Sequence, residues 1–272
     1  MQPIELISYP KVNIFLKIIQ KRDDGYHLLS SRFMLAHGEI HDVLCIESSE
    51  HFSLQGEFGC LMQENTIFKA KLALAEILKS QDRGEEKFLD HIKVSVQKNI
   101  PAGSGLGGGS SNAASFILGV QRLLGFSLSQ SDLVQIAKAC GADVMFFLSQ
   151  DKSANVYGIG DYVHTYAEDP LDFEIHTPHI FCSTPQVYAR YAYSIAKHQC
   201  KYASLKESNA LESTPSKQIL QAHAINGGKS ILNDLFLSAC SLYTELKDIA
   251  DDLGDEWFFS GSGSSFFRLK AH

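Results

Sequence analysis

The 272-residue chain is 44% hydrophobic and 20% charged and carries a formal net charge of −7, the balance of an ordinary globular protein long enough for one large or two moderate cores. The acidic excess argues against broad binding to nucleic acid or anionic membrane, because phosphate backbones are met with surplus Lys and Arg. No apolar run approaches the roughly twenty residues a membrane helix needs, and six dispersed cysteines without a Cys-x-x-Cys pair suggest reduced thiols in the cytoplasm.

Residues 4–20 read as two strands broken near Pro10, with Glu5, Lys11 and Asn13 interrupting anything like a signal peptide. In the second strand, alternation puts Val12, Ile14, Leu16 and Ile18 on one face and Lys11, Asn13, Phe15 and Lys17 on the other. Lys11 and Asn13 therefore share a face, as a solvated polar edge or as part of a site. Asp23-Asp24-Gly25 is the chemistry of a tight hairpin turn. Tyr26 and His27 at its exit can stack on and hydrogen-bond a heterocycle, or simply pack half-buried. Residues 40–62 look like further β structure. Asn65-Thr66 can cap a helix whose face is Ile67, Ala70, Leu74, Ile77 and Leu78. The charged run 82–87 reads as a surface loop leading to alternating Ile92, Val94 and Val96.

From Asn99 the chain turns glycine-rich, with Gly103, Gly105, Gly107, Gly108 and Gly109 within seven positions. Ser110, Ser111 and Asn112 are N-cap residue types. Behind them Ala113, Phe116, Ile117, Val120, Leu123 and Leu124 mark a helix face that Gly125 can end. A strand, a glycine loop and a helix N-terminus aim free N–H groups and a positive dipole end at one spot, which makes an anion site and most often a phosphate site. Neither standard phosphate loop fits. No Asp or Glu follows at about twenty residues as in the dinucleotide fingerprint, and Gly109 stands where the Walker pattern needs Lys.

Ser129 to Cys140 gives another amphipathic helix, stopped by Gly141. Asp143 then enters an apolar run, as a helix cap or as a tunable acid–base group. Tyr157 to Asp161 is a turn between strands, residues 172–183 read as a strand, and Thr184-Pro-Gln-Val-Tyr188 opens a helix reaching His198. Residues 199–229 read as loops around a short helix, and Asn233 begins a helix of about 20 residues. Trp257-Phe-Phe runs into the turn 260–265 and a final strand.

The order of these motifs resembles the GHMP small-molecule kinases: Lys11-x-Asn13, Asp24-Gly-Tyr-His27, Pro101-x-Gly-x-Gly-Leu-Gly-Gly-Gly-Ser-Ser111, Ala142-Asp143-Val and Ser260-Gly-Ser-Gly-Ser-Ser265. The resemblance is dense over 8–36 and 93–148 and recurs at 233–235 and 260–265. It implies an α+β, two-lobed GHMP kinase fold. An N-terminal ATP-binding lobe (1–152) would carry a left-handed β-α-β unit, and a C-terminal substrate lobe (153–272) would be a ferredoxin-like α/β sandwich, with the site between them.

The residue roles it implies are as follows. Pro101, Gly103, Ser104, Gly105, Leu106, Gly107, Gly108, Gly109, Ser110 and Ser111 would hold ATP phosphates, with Asn65 and Lys98 near the adenosine and Mg²⁺ bridging the phosphates through ligands the sequence does not identify. Asp143 would be the base and Lys11 the cation that keeps it ionised. Asn13, Tyr26, His27, Thr184 and Tyr188 would take a cytidine, the two tyrosines from opposite faces, and Gly261, Ser262 and Gly263 would close on phosphates and acceptor. The acceptor would be a cytidine-diphosphate sugar alcohol of non-mevalonate isoprenoid synthesis, met by a monomer or homodimer with no nucleic-acid or membrane partner. A sister kinase for mevalonate, homoserine or a sugar would have no base for Tyr26-His27 to stack on. A non-catalytic nucleotide sensor would have no use for Lys11 with Asp143. Three departures stand out: Met145 where many members have Pro, Ser262 for a frequent Thr, and 199–229, which matches nothing.

Overall fold

The computed structural model describes residues 2–225 and 227–270; Asn226, within the unmatched 199–229 stretch, lies outside them. In chain order the strands are β1 (Ile4–Ser8), β2 (Lys11–Lys21), β3 (His27–Leu35), β4 (Asp42–Ser48), β5 (Ser53–Gln55), β6 (Ile92–Gln97), β7 (Ser153–Gly158), β8 (Tyr162–Thr165), β9 (Phe173–His176), β10 (Phe258–Phe259) and β11 (Phe266–Leu269). The helices are α1 (Thr66–Ser80), α2 (Gly108–Leu124), α3 (Gln130–Cys140), α4 (Val144–Ser149), α5 (Thr184–Ala196), α6 (Leu205–Ser213), α7 (Ser216–His223), α8 (Gly228–Leu232), α9 (Phe236–Leu242) and α10 (Glu245–Leu253).

The chain divides into two compact units. The first takes the residues up to Pro10, Glu39–Ala102 and Gly107–Gln150, and the second takes Lys11–Gly38, Gly103–Leu106 and everything from Asp151. A single boundary between 152 and 153 therefore does not describe the packing. The hairpin β2–β3 goes with the later residues because β3 pairs antiparallel with β7, from Leu29 opposite Gly158 to Met34 opposite Ser153.

In the first unit the strand order is β1-β4-β6-β5. β5 and β6 are parallel, so β5-α1-β6 is a β-α-β crossover. Asn65 caps α1 by accepting from Ile67 N at 2.9 Å, and α1 buries Ile67, Ala70, Leu74, Ile77 and Leu78 as its periodicity requires. Ser129 and Asp132 form a capping box at α3. Phe116, Ile117 and Val120 of α2 are fully buried, Leu123 and Leu124 are partly covered, and Gly125 ends the helix at φ 69°.

The second unit holds the sheet β2-β3-β7-β8 and the smaller sheet β10-β11-β9. Its core gathers Leu16, Ile18, Val187, Tyr191, Leu235, Leu246, Trp257 and Phe266. β2 does not sort into one buried and one polar face. The register slips between Asn13 and Phe15, and Lys11 through Leu16 are all buried.

Other expectations also change. The strand expected over 172–183 stops at His176, after which a loop through Pro178 leads to α5. Residues 199–229 carry α6, α7 and the start of α8 rather than one short helix, with a Ser204–Glu207 capping box opening α6. The long helix expected from Asn233 is two helices. Tyr243 leaves the helical region (φ −123°, ψ 85°), and its hydroxyl accepts from Ser183 N at 2.9 Å.

Candidate active site

In the first unit, β6 runs through Lys98 and Asn99 into the glycine-rich loop, and α2 starts directly after it. The helix begins at Gly108, with Gly107 as its N-cap at φ 74° and no capping side-chain bond. Ser110, Ser111 and Asn112 therefore lie inside the helix, at its third to fifth positions, and are not the cap. The Ser111 hydroxyl donates to Tyr9 O at 2.7 Å, and Asn112 turns toward Asp42, donating from Nδ2 at 2.9 Å. With no side chain claiming the helix start, the backbone N–H groups there and the macrodipole suit an anion. Thr66, first residue of α1, donates to Gly109 O at 2.6 Å and fastens the two helix starts together. Lys98 Nζ is held by Asn112 Oδ1 at 2.9 Å and by Asp42. Asp143 stands at the N-cap position of α4 but makes no capping bond, which sets aside its reading as a cap.

In the second unit, Gly103–Leu106 packs against the turn 260–265. A Cβ on Gly105 would stand 2.2 Å from Ser260 O, and Gly105 has φ +75°. Ser265 N donates to Ser104 O at 2.9 Å, and the Ser260 hydroxyl donates to Gly105 O at 3.2 Å. Lys11 and Asn13 are 3% and 2% exposed, so the solvated-edge reading fails. Lys11 Nζ donates to Asn13 Oδ1 at 2.6 Å and to Gly105 O at 3.1 Å, and it lies 4.5 Å from the Phe33 ring centroid. Asn13 Nδ2 donates in turn to Ser31 Oγ at 2.9 Å. A buried ammonium is tolerated only when bound in this way. Asn233, just before α9, donates from Nδ2 to Phe259 O (3.0 Å) and Gly261 O (2.9 Å) and holds the turn in place.

The aromatic cluster lies in the same unit. His27 is 7% exposed; its ring is 5.4 Å from that of Tyr188 and meets Tyr191 edge-on at 6.1 Å. Burial first, and the charge of Lys21 second, push its imidazole below the ordinary histidine value. Its Nε2 is buried without a hydrogen-bond partner, a position that a polar ligand atom would satisfy. Tyr26 is 60% exposed at the hairpin tip. Thr184, at the start of the helix that carries Tyr188, shares a 2.7 Å hydrogen bond with the Ser262 hydroxyl.

Residues 65–151 match the family model for the GHMP kinases N terminal domain. The chain is 41% identical over 267 residues to a 4-diphosphocytidyl-2-C-methyl-D-erythritol kinase of Helicobacter pylori, covering 96% of this chain and 95% of that one. Its counterpart in Sulfurimonas denitrificans is 42% identical, with coverage of 97% and 96%. The chain belongs to the 4-diphosphocytidyl-2-C-methyl-D-erythritol kinase family of GHMP kinases. A crystal structure of a 4-(cytidine 5'-diphospho)-2C-methyl-D-erythritol kinase aligns at TM-score 0.69 with 27% identity, over 98% of this chain and 90% of that one. A Methanococcus jannaschii mevalonate kinase, 11% identical, aligns at 0.61 and shares the fold.

Within this family frame, the sequence reading missed three residues that shape the site. Asp42 is a lone carboxylate at a strand start, and no spacing connects it to Lys98 or Asn112. Ser31 sits mid-strand between Ser30 and Arg32, with nothing in its spacing to connect it to Asn13. Asn233 belongs to a motif that the resemblance marked at 233–235, but only the fold reveals that it ties the 260–265 turn. No helix among the described residues is long and apolar enough to cross a membrane.

Proposed function

We propose that this chain is an ATP-dependent kinase that phosphorylates the 2-hydroxyl of 4-diphosphocytidyl-2-C-methyl-D-erythritol, a cytoplasmic step of non-mevalonate isoprenoid precursor synthesis. The observation that carries the choice of acceptor is the buried His27 ring beside Tyr188, with Nε2 unsatisfied. A neutral imidazole donates from one nitrogen and accepts at the other, which suits the edge of a cytosine. Base–aromatic stacking contributes on the order of 1–3 kcal/mol per base, and Tyr26 and Tyr188 are the residues we assign to it. Asn13, Thr184, Gly261, Ser262 and Gly263 complete the acceptor set.

Phosphoryl transfer asks a protein chiefly for alignment and charge stabilisation. We assign the triphosphate to the backbone from Pro101 to Ser111, with Asn65 and Lys98 on the nucleotide side. Asp143 accepts the acceptor hydroxyl's proton, a role that contributes about 10²–10⁴-fold, and Lys11 stabilises the alkoxide that develops. No cluster of three or more His, Cys, Asp or Glu side chains among the described residues could hold a metal. We assign the Mg²⁺ to the ATP phosphates themselves, with the Ser110 and Ser111 hydroxyls as the candidate protein oxygens. Bound there, the ion would neutralise charge on the phosphate oxygens.

The test is ADP release by the full chain with ATP against a panel of cytidine-diphospho-methylerythritol, mevalonate, homoserine and galactose. The reading expects turnover with the first alone. Turnover with one of the others, or with none, overturns it.

A further inference from the structure

Asp42 opens β4 and is fully buried. Its Oδ1 accepts from Asn99 N at 2.7 Å and Ile100 N at 2.8 Å. Its Oδ2 accepts from Asn112 Nδ2 at 2.9 Å and from Lys98 Nζ. Lys98 Nζ also donates to Asn112 Oδ1 at 2.9 Å, closing a triangle of three side chains. One carboxylate thus fixes the strand start, the two residues that enter the glycine loop and Asn112, the fifth residue of α2, all within the first unit. A Cβ on Gly108 would stand 3.5 Å from Lys98 Nζ, so the ammonium lies beside the first residue of the helix. Two of its three hydrogens are already committed to Asp42 and Asn112.

We propose that Asp42 is the positioning residue of the phosphate loop, and that Lys98 serves the nucleotide through Asp42 and Asn112 rather than as a phosphate ligand of its own. The inference rests on the reading that this loop holds ATP phosphates. Two effects of removing the carboxylate oppose each other. Loss of its charge makes the helix start more positive and favours an anion, while an amide NH2 in place of Oδ2 faces two donors, Lys98 Nζ and Asn112 Nδ2, and breaks the triangle. The second dominates, because a half-buried ammonium and an amide N–H that have lost their shared acceptor cannot remain where they are.

The test is calorimetric titration of the full chain with a non-hydrolysable ATP analogue and, separately, with the cytidine-bearing acceptor. The proteins are wild type, Asp42→Asn, Asn112→Ala, Lys98→Met, and the doubles Asp42→Asn/Lys98→Met and Asn112→Ala/Lys98→Met. Each single variant is expected to weaken the analogue about tenfold. Each double loses no more than its worse single, because the three side chains act as one unit. Affinity for the acceptor stays within twofold, which a general loss of structure would not allow. Should Asp42→Asn fail to fold, the Asn112→Ala and Lys98→Met cycle carries the same comparison. Additive losses overturn the proposal, since Lys98 would then contact the nucleotide itself, as does wild-type affinity in Asn112→Ala. Wild-type chain that binds no analogue overturns both this inference and the kinase reading beneath it.

Discussion

Gly105 and Ser260 are in backbone contact: a side-chain carbon added to Gly105 would lie 2.2 Å from the Ser260 carbonyl oxygen and 3.0 Å from Gly263 N. Two glycine-rich turns far apart in sequence are thus pressed together, with Lys11 Nζ bonded to the same Gly105 carbonyl. Gly105→Ala meets two obstacles, a left-handed backbone at φ +75° and a wall of main chain that cannot rotate away. The combined cost is about 2–4 kcal/mol. Steady-state kinetics on folded Gly105→Ala should show kcat at least about a hundredfold down. Turnover within a few-fold of wild type would mean the contact is not needed.

Acid should selectively disturb the His27 cluster. The folded imidazole lies below its ordinary value of 6.5, chiefly through burial, so between the two values the unfolded chain binds the extra proton and the folded one does not. Stability from this site is therefore complete above the ordinary value and is lost as pH falls through the lowered one. Thermal melts from pH 8 to pH 5 should show wild type losing Tm on acidification more steeply than His27→Gln. Parallel curves would remove His27 as the source.

Arg32 fastens the junction of α6 and α7, within the stretch the family motifs did not match. It is fully buried, donating from Nε to Asn155 Oδ1 at 2.7 Å, from NH1 to Thr214 O and Ser216 Oγ and from NH2 to Glu212 O at 2.5 Å, over Tyr166 at 3.4 Å. Glu168, 3.6 Å from the guanidinium, accepts from Ser216 as well. Arg32→Met strands these acceptors, a loss of about 3–5 kcal/mol. Hydrogen exchange should then accelerate first in residues 205–223. Uniform acceleration across the second unit would contradict this local role.

What the sequence made legible was local chemistry. Asn65, Ser129, Gly125 and the Asp24-Gly25 turn act through neighbours a few residues away, and all sit where capping and turn rules put them. The motif order pointed to the family because each motif is short and contiguous. The site's supports were hidden because their partners are remote: Asp42 reaches Asn112 across seventy residues and Asn233 reaches Phe259 across twenty-six. β2 misled for a related reason. Alternation presumes one dry face, whereas a register slip at Asn13 and Phe15 and burial on both sides erase the pattern. Helices α6 and α7 are polar on most positions, α6 burying only Ser208 and α7 only Ser216, Ile219 and Leu220, and Arg32 and Glu168 fasten their junction.

The most direct measurement is ³¹P NMR of the wild-type chain incubated with ATP, Mg²⁺ and 4-diphosphocytidyl-2-C-methyl-D-erythritol, alongside Asp143→Asn. The account predicts a new phosphomonoester resonance growing in step with ADP for wild type, slowed at least about a hundredfold in Asp143→Asn while ATP still binds. ADP forming without a phosphomonoester, or a variant that transfers phosphate at the wild-type rate, would contradict it.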